Sequence, residues 1–263
     1  MFTASHRGGS GPPLLCLHGF TDTWRTWDLV LPALERRHDV LAPTLLGHAG
    51  GPPAGDDVSA DAVCDAIERA MDDAGFGTAH IAGNSLGGYV GLHLAARGRA
   101  RSVVALAPAG GWARGDESYR ETLTSFATLQ EQARMAAPHA AAIVATPEGR
   151  RQATQRIAES PAHIPPGLVS HLMLGAACCT SAIAMIEHAL RDGYDLDAER
   201  ITCPVRVVWG TADRILPWPS AAARYREDWV PHAEWIELDG VGHCPQLDAP
   251  LETAQLILGL TAG

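Results

Sequence analysis

The stretch HIAGNSLGGYVGLHLAARG, residues 80–98, decides how the rest of the chain is read. Its apolar start has the length of a buried strand, and residues 86–97 continue in a helical pattern. Between the two lies Gly83-Asn84-Ser85-Leu86-Gly87, a G-x-S-x-G pattern in the strand-to-helix setting which that motif requires. Small residues at 83 and 87 let the backbone pass close to its neighbours in a strained turn, lifting the Ser85 hydroxyl clear of the sheet. The amide of Leu86, at the helix N-terminus, has no partner within the helix and is free to donate to a negative oxygen. The bland alternative is a glycine-rich turn with an incidental serine, so the remainder of the chain has to supply the partners of a reactive one.

Working outward, strand-length apolar runs alternate with helical patterns, the signature of a mostly parallel sheet with helices on both faces. Strands are predicted at 14–19, 39–43, 79–84, 102–108, 205–210 and 233–238. Helices are predicted at 27–36, at 60–74 with Ser59 as N-cap and Gly75 as C-cap, at 86–97, near 219–229, and at 250–259. Between Gly111 and about Leu196 the sequence is helical and Ala-rich, with no strand-like run. This predicts an α/β core domain made of 1–111 and 197–263, and a helical cap (lid) insertion at 112–196 after the strand ending near Pro108.

Composition narrows the partners. A length of 263 residues suits one catalytic unit. The formal charge of −10 disfavours phosphate backbones and anionic lipid, so neither nucleic acid nor membrane is expected as a partner. The apolar runs fall short of the roughly 18 residues a spanning helix needs, and the first residues lack a signal-peptide pattern, which together predict a cytoplasmic protein. The six cysteines form no CxxC, and the histidines follow no ligand spacing, so neither disulfide nor metal site is expected.

A serine hydroxyl is a poor nucleophile at neutral pH and needs a base, an orienting acid and oxyanion donors. His243 lies in ELDGVGHCPQLDAP, a glycine-bracketed loop after the last strand where packing calls for no histidine. Asp213 follows the penultimate strand in VVWGTADRILP, where a carboxylate can hold an imidazole. Asp248 also follows His243 closely, and Asp213 is preferred for its strand-end position. Ser85, Asp213 and His243 are therefore the candidate catalytic residues.

With these residues in this order, the chain resembles the α/β-hydrolase family, in particular its capped, bacterial serine esterase-like branch. The resemblance runs through His18-Gly19-Phe20, Gly47-His48, Gly83 to Gly88, Gly210-Thr211-Ala212-Asp213 and Gly242-His243. It implies that the Phe20 amide completes an oxyanion hole with Leu86, that no cofactor is needed, and that the partner is a small-molecule ester or related carbonyl compound. The first strands are expected to be short or missing, and Thr44 stands where many relatives carry an acid. Serine at 85 speaks against the haloalkane dehalogenases and epoxide hydrolases of the same fold, which use aspartate there.

His18 and His48 are read as shaping the oxyanion loop, His93 as a packing residue, and Cys244 as a small buried side chain. Trp24 and Trp112 are candidate pocket-lining residues, with core packing as the other reading. The expected activity is cleavage of carboxylic esters of small to medium apolar substrates through an acyl-enzyme, by a monomer or homodimer. The same triad also fits a lactonase, a hydrolase of carbon-carbon bonds in diketones, or a cofactor-free haloperoxidase or acyltransferase. A non-catalytic ligand-binding protein on this scaffold is the reading from another class, and the intact triad speaks against it.

Overall fold

Side chains that alternate along each strand go to opposite faces of a sheet, and in the central strands here both sets are mostly apolar and buried. The computed structural model describes residues 1–262. Strand β1 (Ser5–Gly9) is followed by β2 (Pro13–Leu17), a 3-10 turn (Trp24–Trp27), α1 (Leu31–Leu34), β3 (Asp39–Pro43), α2 (Ala60–Asp73), β4 (Ala79–Asn84), α3 (Leu86–Ala96) and β5 (Ala100–Leu106). Helices α4 (Ser118–Ala136), α5 (Ala140–Val144), α6 (Pro147–Thr154), α7 (Pro166–Ala177) and α8 (Ala182–Asp192) come next. The chain returns to the sheet with β6 (Val205–Gly210) and β7 (Glu234–Leu238) and ends in α9 (Pro245–Asp248) and α10 (Pro250–Thr261).

The strand order is β1-β3-β2-β4-β5-β6-β7, with β1 antiparallel to β3 and the remaining pairs parallel. From β2 the chain goes to β3 on one side and then crosses to β4 on the other. The carboxyl ends of β2 and β4 therefore form the switch point where open α/β sheets leave a crevice. Ile81, Val103, Ala105, Val207 and Trp209 point into the layer with α2 and α3. Ala82, Val104, Leu106 and Val208 point the other way, against α1 and α10. Burial on both faces is why these strands read as unbroken apolar runs.

Helix α2 is capped as its sequence indicates, with Ser59 Oγ accepting from the Ala62 amide at 3.2 Å, and it buries Val63, Ile67 and Met71. Helix α3 is buried nearly all round, as a helix across the middle of a sheet must be. The segment read as helical, 112–196, holds the five helices α4 to α8, and α4 packs on both α7 and α8. No single helix is long and apolar enough to cross a membrane among the described residues.

The first strand is present and short: β1 pairs with β3 over Ser5–Gly9, five residues, and Arg7 grips Asp39 across the pair at 2.7 Å. Two helix expectations need correction. The helix predicted at 27–36 is cut to Leu31–Leu34, because Thr23 caps a separate 3-10 turn at Trp24–Trp27 and Pro32 restarts the helix. The helix predicted near 219–229 is a 3-10 turn at Ser220–Ala222 and a wide π-type turn at Tyr225–Trp229. There the Arg224 amide donates to Gly111 O at 2.7 Å and the Tyr225 hydroxyl to Ala109 O at 2.6 Å, which pulls the segment onto the loop after β5.

Candidate active site

Ser85 sits at the carboxyl end of β4 with φ 53° and ψ −116°, in a region that L residues other than glycine rarely occupy. The conformation is held from both sides. The Ser85 amide donates to Leu106 O at 2.9 Å, and its carbonyl accepts from Tyr89 and Ala109 at 3.0 and 3.1 Å. The glycines have a steric reason: a Cβ at Gly83 would overlap the Gly87 carbonyl, and one at Gly87 would overlap that of Leu17. The strained turn thus needs both.

His243 follows β7 and Asp213 follows β6, and the two meet with Nδ1 to Oδ2 at 2.7 Å. The other Asp213 oxygen accepts from the Ile215 and Leu216 amides, each at 2.8 Å. The carboxylate is thereby fixed with one oxygen left for the imidazole. Ser85, Asp213 and His243 are all buried, and Ser85 and His243 border one cavity of about 480 Å³. Asp248 is used elsewhere, accepting from the Gly242, Glu159 and Ser160 amides at 2.7, 2.9 and 2.7 Å.

Leu86 follows the serine in the chain, and Phe20 borders both cavities that Ser85 borders. Leu86 is the first residue of α3, so its amide lacks an intrahelical acceptor. The Phe20 amide also has no backbone partner among the described residues. Beneath them, His18 donates from Nδ1 to Gly19 O at 2.8 Å and accepts at Nε2 from the Leu45 amide at 2.8 Å. Burial holds it well below the usual imidazole range, so it is neutral and both nitrogens are occupied. His48 packs edge-on against His18 with ring centres 5.0 Å apart, and burial lowers it to about 4. His93 bonds Asp195 O at 2.9 Å on the far side of α3. Cys244 is buried, and desolvation pushes its thiol well above the usual range, leaving it un-ionised and unreactive.

The two tryptophans part company. Trp112 borders a second, smaller cavity of about 90 Å³ that shares Phe20, Ser85 and Phe126 with the first. Trp24 borders neither cavity: its Nε1 donates to Thr3 Oγ1 at 2.8 Å and its ring stacks on His6, which holds it at the edge by β1.

Residues 12–250 match the profile of the alpha/beta hydrolase fold. The chain belongs to the α/β-hydrolase fold family. Hydrolysis is the reaction class that goes with that membership. Epoxide hydrolase EphH of Mycobacterium tuberculosis is 34% identical over 201 residues, covering 76% of this chain and 94% of that protein. Lipase 3 of a Moraxella species is 26% identical, covering 97% of this chain and 78% of the lipase. Among solved structures, a serine hydrolase involved in carbazole degradation superposes with a TM-score of 0.76 at 19% identity, covering 98% of this chain and 93% of that one. At that identity the superposition speaks for the fold alone.

Two groups at this α/β-hydrolase site escape a reading of the sequence. Asn84 is fully buried behind the serine, donating from Nδ2 to His243 O at 3.0 Å and to Leu106 O at 3.1 Å. Its Oδ1 accepts from Gln246 at 3.1 Å and lies 3.4 Å from Cys244 Sγ. The elbow and the histidine loop are tied through this one side chain, across 159 residues. Asp22 borders the large cavity and accepts from the Thr23 amide at 2.7 Å; desolvation raises its carboxyl to about 7. The variable position of G-x-S-x-G carries no signal for the first, and a polar loop conceals the second.

Proposed function

We propose that this protein is a serine hydrolase that cleaves carboxylic esters of small to medium-sized substrates through an acyl-enzyme. The reading is carried by one observation: an imidazole held by a buried carboxylate at 2.7 Å borders the same cavity as a serine in a strained elbow. His243 Nε2 takes the Ser85 proton as Oγ attacks the carbonyl carbon. Asp213 keeps Nδ1 protonated and stabilises the imidazolium. The Phe20 and Leu86 amides donate to the tetrahedral oxyanion, each worth about 3 kcal/mol of barrier. The imidazolium then gives its proton to the departing alcohol oxygen. Water, deprotonated by His243, attacks the acyl-enzyme and releases the acid. The reaction so written uses only this chain's side chains, its amides and water.

His243 borders the large cavity and not the small one. The alcohol portion, which receives the proton from His243, therefore occupies the large cavity, and a short acyl group enters the small apolar one beside Trp112 and Leu86. Helices α4 to α8 serve as the cap over both. A relative named as an epoxide hydrolase does not change this reading. Opening an epoxide with Ser85 would leave an alkyl ether of serine, which has no carbonyl for water to attack; a serine ester does.

The test is hydrolysis of p-nitrophenyl esters of increasing acyl length by the wild type and by Ser85→Ala, with a burst assay for the acyl-enzyme. Turnover with a short-chain optimum, abolished by the substitution, is expected. Equal rates in the two proteins would overturn the reading.

A further inference from the structure

The large cavity holds a cation that the reaction above does not use. Arg156 lies in the turn after α6 and borders this cavity together with Ser85 and His243. Its Nε is buried without a partner, and no carboxylate among the described residues is paired with it. Neighbouring arginines are matched: Arg151 with Glu148 at 3.1 Å, Arg214 with Glu159 at 2.9 Å, and Arg150 with Val144 O at 2.8 Å. The nearest acids along the chain are therefore taken, and Asp248 spends its oxygens on three amides. A guanidinium stays charged at any working pH, so a buried unpartnered donor destabilises the protein unless something arrives to accept it.

The turn that carries Arg156 is fastened to the loops that carry the candidate catalytic residues. Cys244, next to His243, donates its amide to Ile157 O at 2.9 Å. Arg214, next to Asp213, donates to Gln155 O at 3.3 Å. Asp248 holds the Glu159 and Ser160 amides. Arg156 is bracketed by these ties, so its position relative to the imidazole is built in. The lining of the same cavity includes a second residue with an unpartnered atom, Gln130, whose Oε1 has no partner while its amide nitrogen is committed to Cys179 O at 3.2 Å. One free donor and one free acceptor suit a polar ligand better than an aliphatic chain. In a protein of net charge −10, an unpaired cation on the lining of the cavity that Ser85 also borders stands out.

We propose that Arg156 recognises a carboxylate on the leaving-group side of the substrate, so that the ester cleaved is one whose alcohol portion is itself an acid. This rests on the reading of Ser85 and His243 given above. The planar guanidinium fork matches a carboxylate bidentately. The side is assigned because Arg156 and His243 share the large cavity, while the small one contains neither. Asp22, the carboxyl of the same cavity, is held protonated toward neutral pH by desolvation, which limits its repulsion of an anion.

The experiment compares kcat/KM for 3- and 4-acetoxybenzoate with that for phenyl acetate, and for monophenyl succinate with that for phenyl butyrate, in the wild type, Arg156→Gln and Arg156→Lys. The wild type is expected to favour an acetoxybenzoate by about tenfold or more, mainly through KM, the size of one partly exposed charge-assisted pair. Arg156→Gln should erase that preference and Arg156→Lys restore part of it. No preference in the wild type, the same preference in Arg156→Gln, or an Arg156-dependent preference confined to monophenyl succinate would each overturn the proposal. Calorimetric binding of 3- and 4-hydroxybenzoate to Ser85→Ala, with and without Arg156→Gln, separates the two levels. Arg156-dependent binding without ester turnover would sink the hydrolase reading alone, and turnover without such binding would sink the anion site alone.

Discussion

Replacing Asn84 with Ala should loosen the base from the nucleophile, and the size of the effect follows from the bonds lost. The substitution removes the donors to His243 O and Leu106 O and the acceptor for Gln246 Nε2 and Cys244 Sγ. Not all of these partners are orphaned. Leu106 O keeps the Ser85 amide at 2.9 Å, and Gln246 keeps Thr26 Oγ1 at 3.1 Å. The His243 carbonyl loses its donor outright in a buried setting, a cost of about 1 to 3 kcal/mol. The emptied volume and the weakened Gln246 bond add roughly 1 kcal/mol. Asn84→Ala should therefore lower stability by about 3 kcal/mol, which at about 2 to 4 °C per kcal/mol lowers Tm by roughly 6 to 12 °C. Urea unfolding followed by circular dichroism gives the first number, and kcat on a short-chain ester below the transition should fall with it. A stability loss under about 1 kcal/mol, or a full loss with kcat intact, would refute the claim that this side chain holds the imidazole in place.

Three further outcomes are expected. Asp213→Asn should fold, because one amide oxygen still accepts from Ile215 or Leu216, while kcat falls by roughly 10³ to 10⁴ through the wrong imidazole tautomer; stopped-flow ester hydrolysis reads this. The Asp22 carboxyl, raised by burial from 3.8 to about 7, binds its proton more tightly folded than unfolded, so its contribution is present below pH 4 and is lost as pH rises through about 7. Chemical denaturation at pH 5 and pH 8 should then show Asp22→Asn gaining on the wild type at the higher pH, by an amount of order 1 to 3 kcal/mol. Gly83→Ala, whose Cβ would meet the Gly87 carbonyl, should force the elbow open, lowering Tm and abolishing ester turnover together.

Much of this arrangement was legible because it is local. Strands β3, β4 and β6 begin and end where the apolar runs do, since Pro43, the elbow glycine and Gly210 mark their limits. Ser85, Asp213 and His243 announce themselves as polar residues at strand ends where packing asks for none. Strand β1 was not legible: SHRGG has weak strand preference, and it is pairing with β3 that shapes it. Trp24 has the look of a pocket residue, yet its fate is set by Thr3 and His6 on the adjoining edge. The segment 219–229 has helical composition, and bonds to Gly111 and Ala109, over a hundred residues earlier, override it. Asn84 and Arg156 matter through partners they have, or lack, at the far end of the chain, and no pattern within their own neighbourhoods reports that.

Labelling with an alkyl fluorophosphonate, followed by peptide mass spectrometry, tests the central claim most directly, since such a reagent marks a serine only where a base and an oxyanion site activate it. The account predicts one phosphonyl group on the peptide that contains Ser85, absent in Ser85→Ala and at least a thousandfold slower in His243→Ala, on the scale of losing a triad member. An unlabelled but folded protein, or a label carried by another residue, would contradict it.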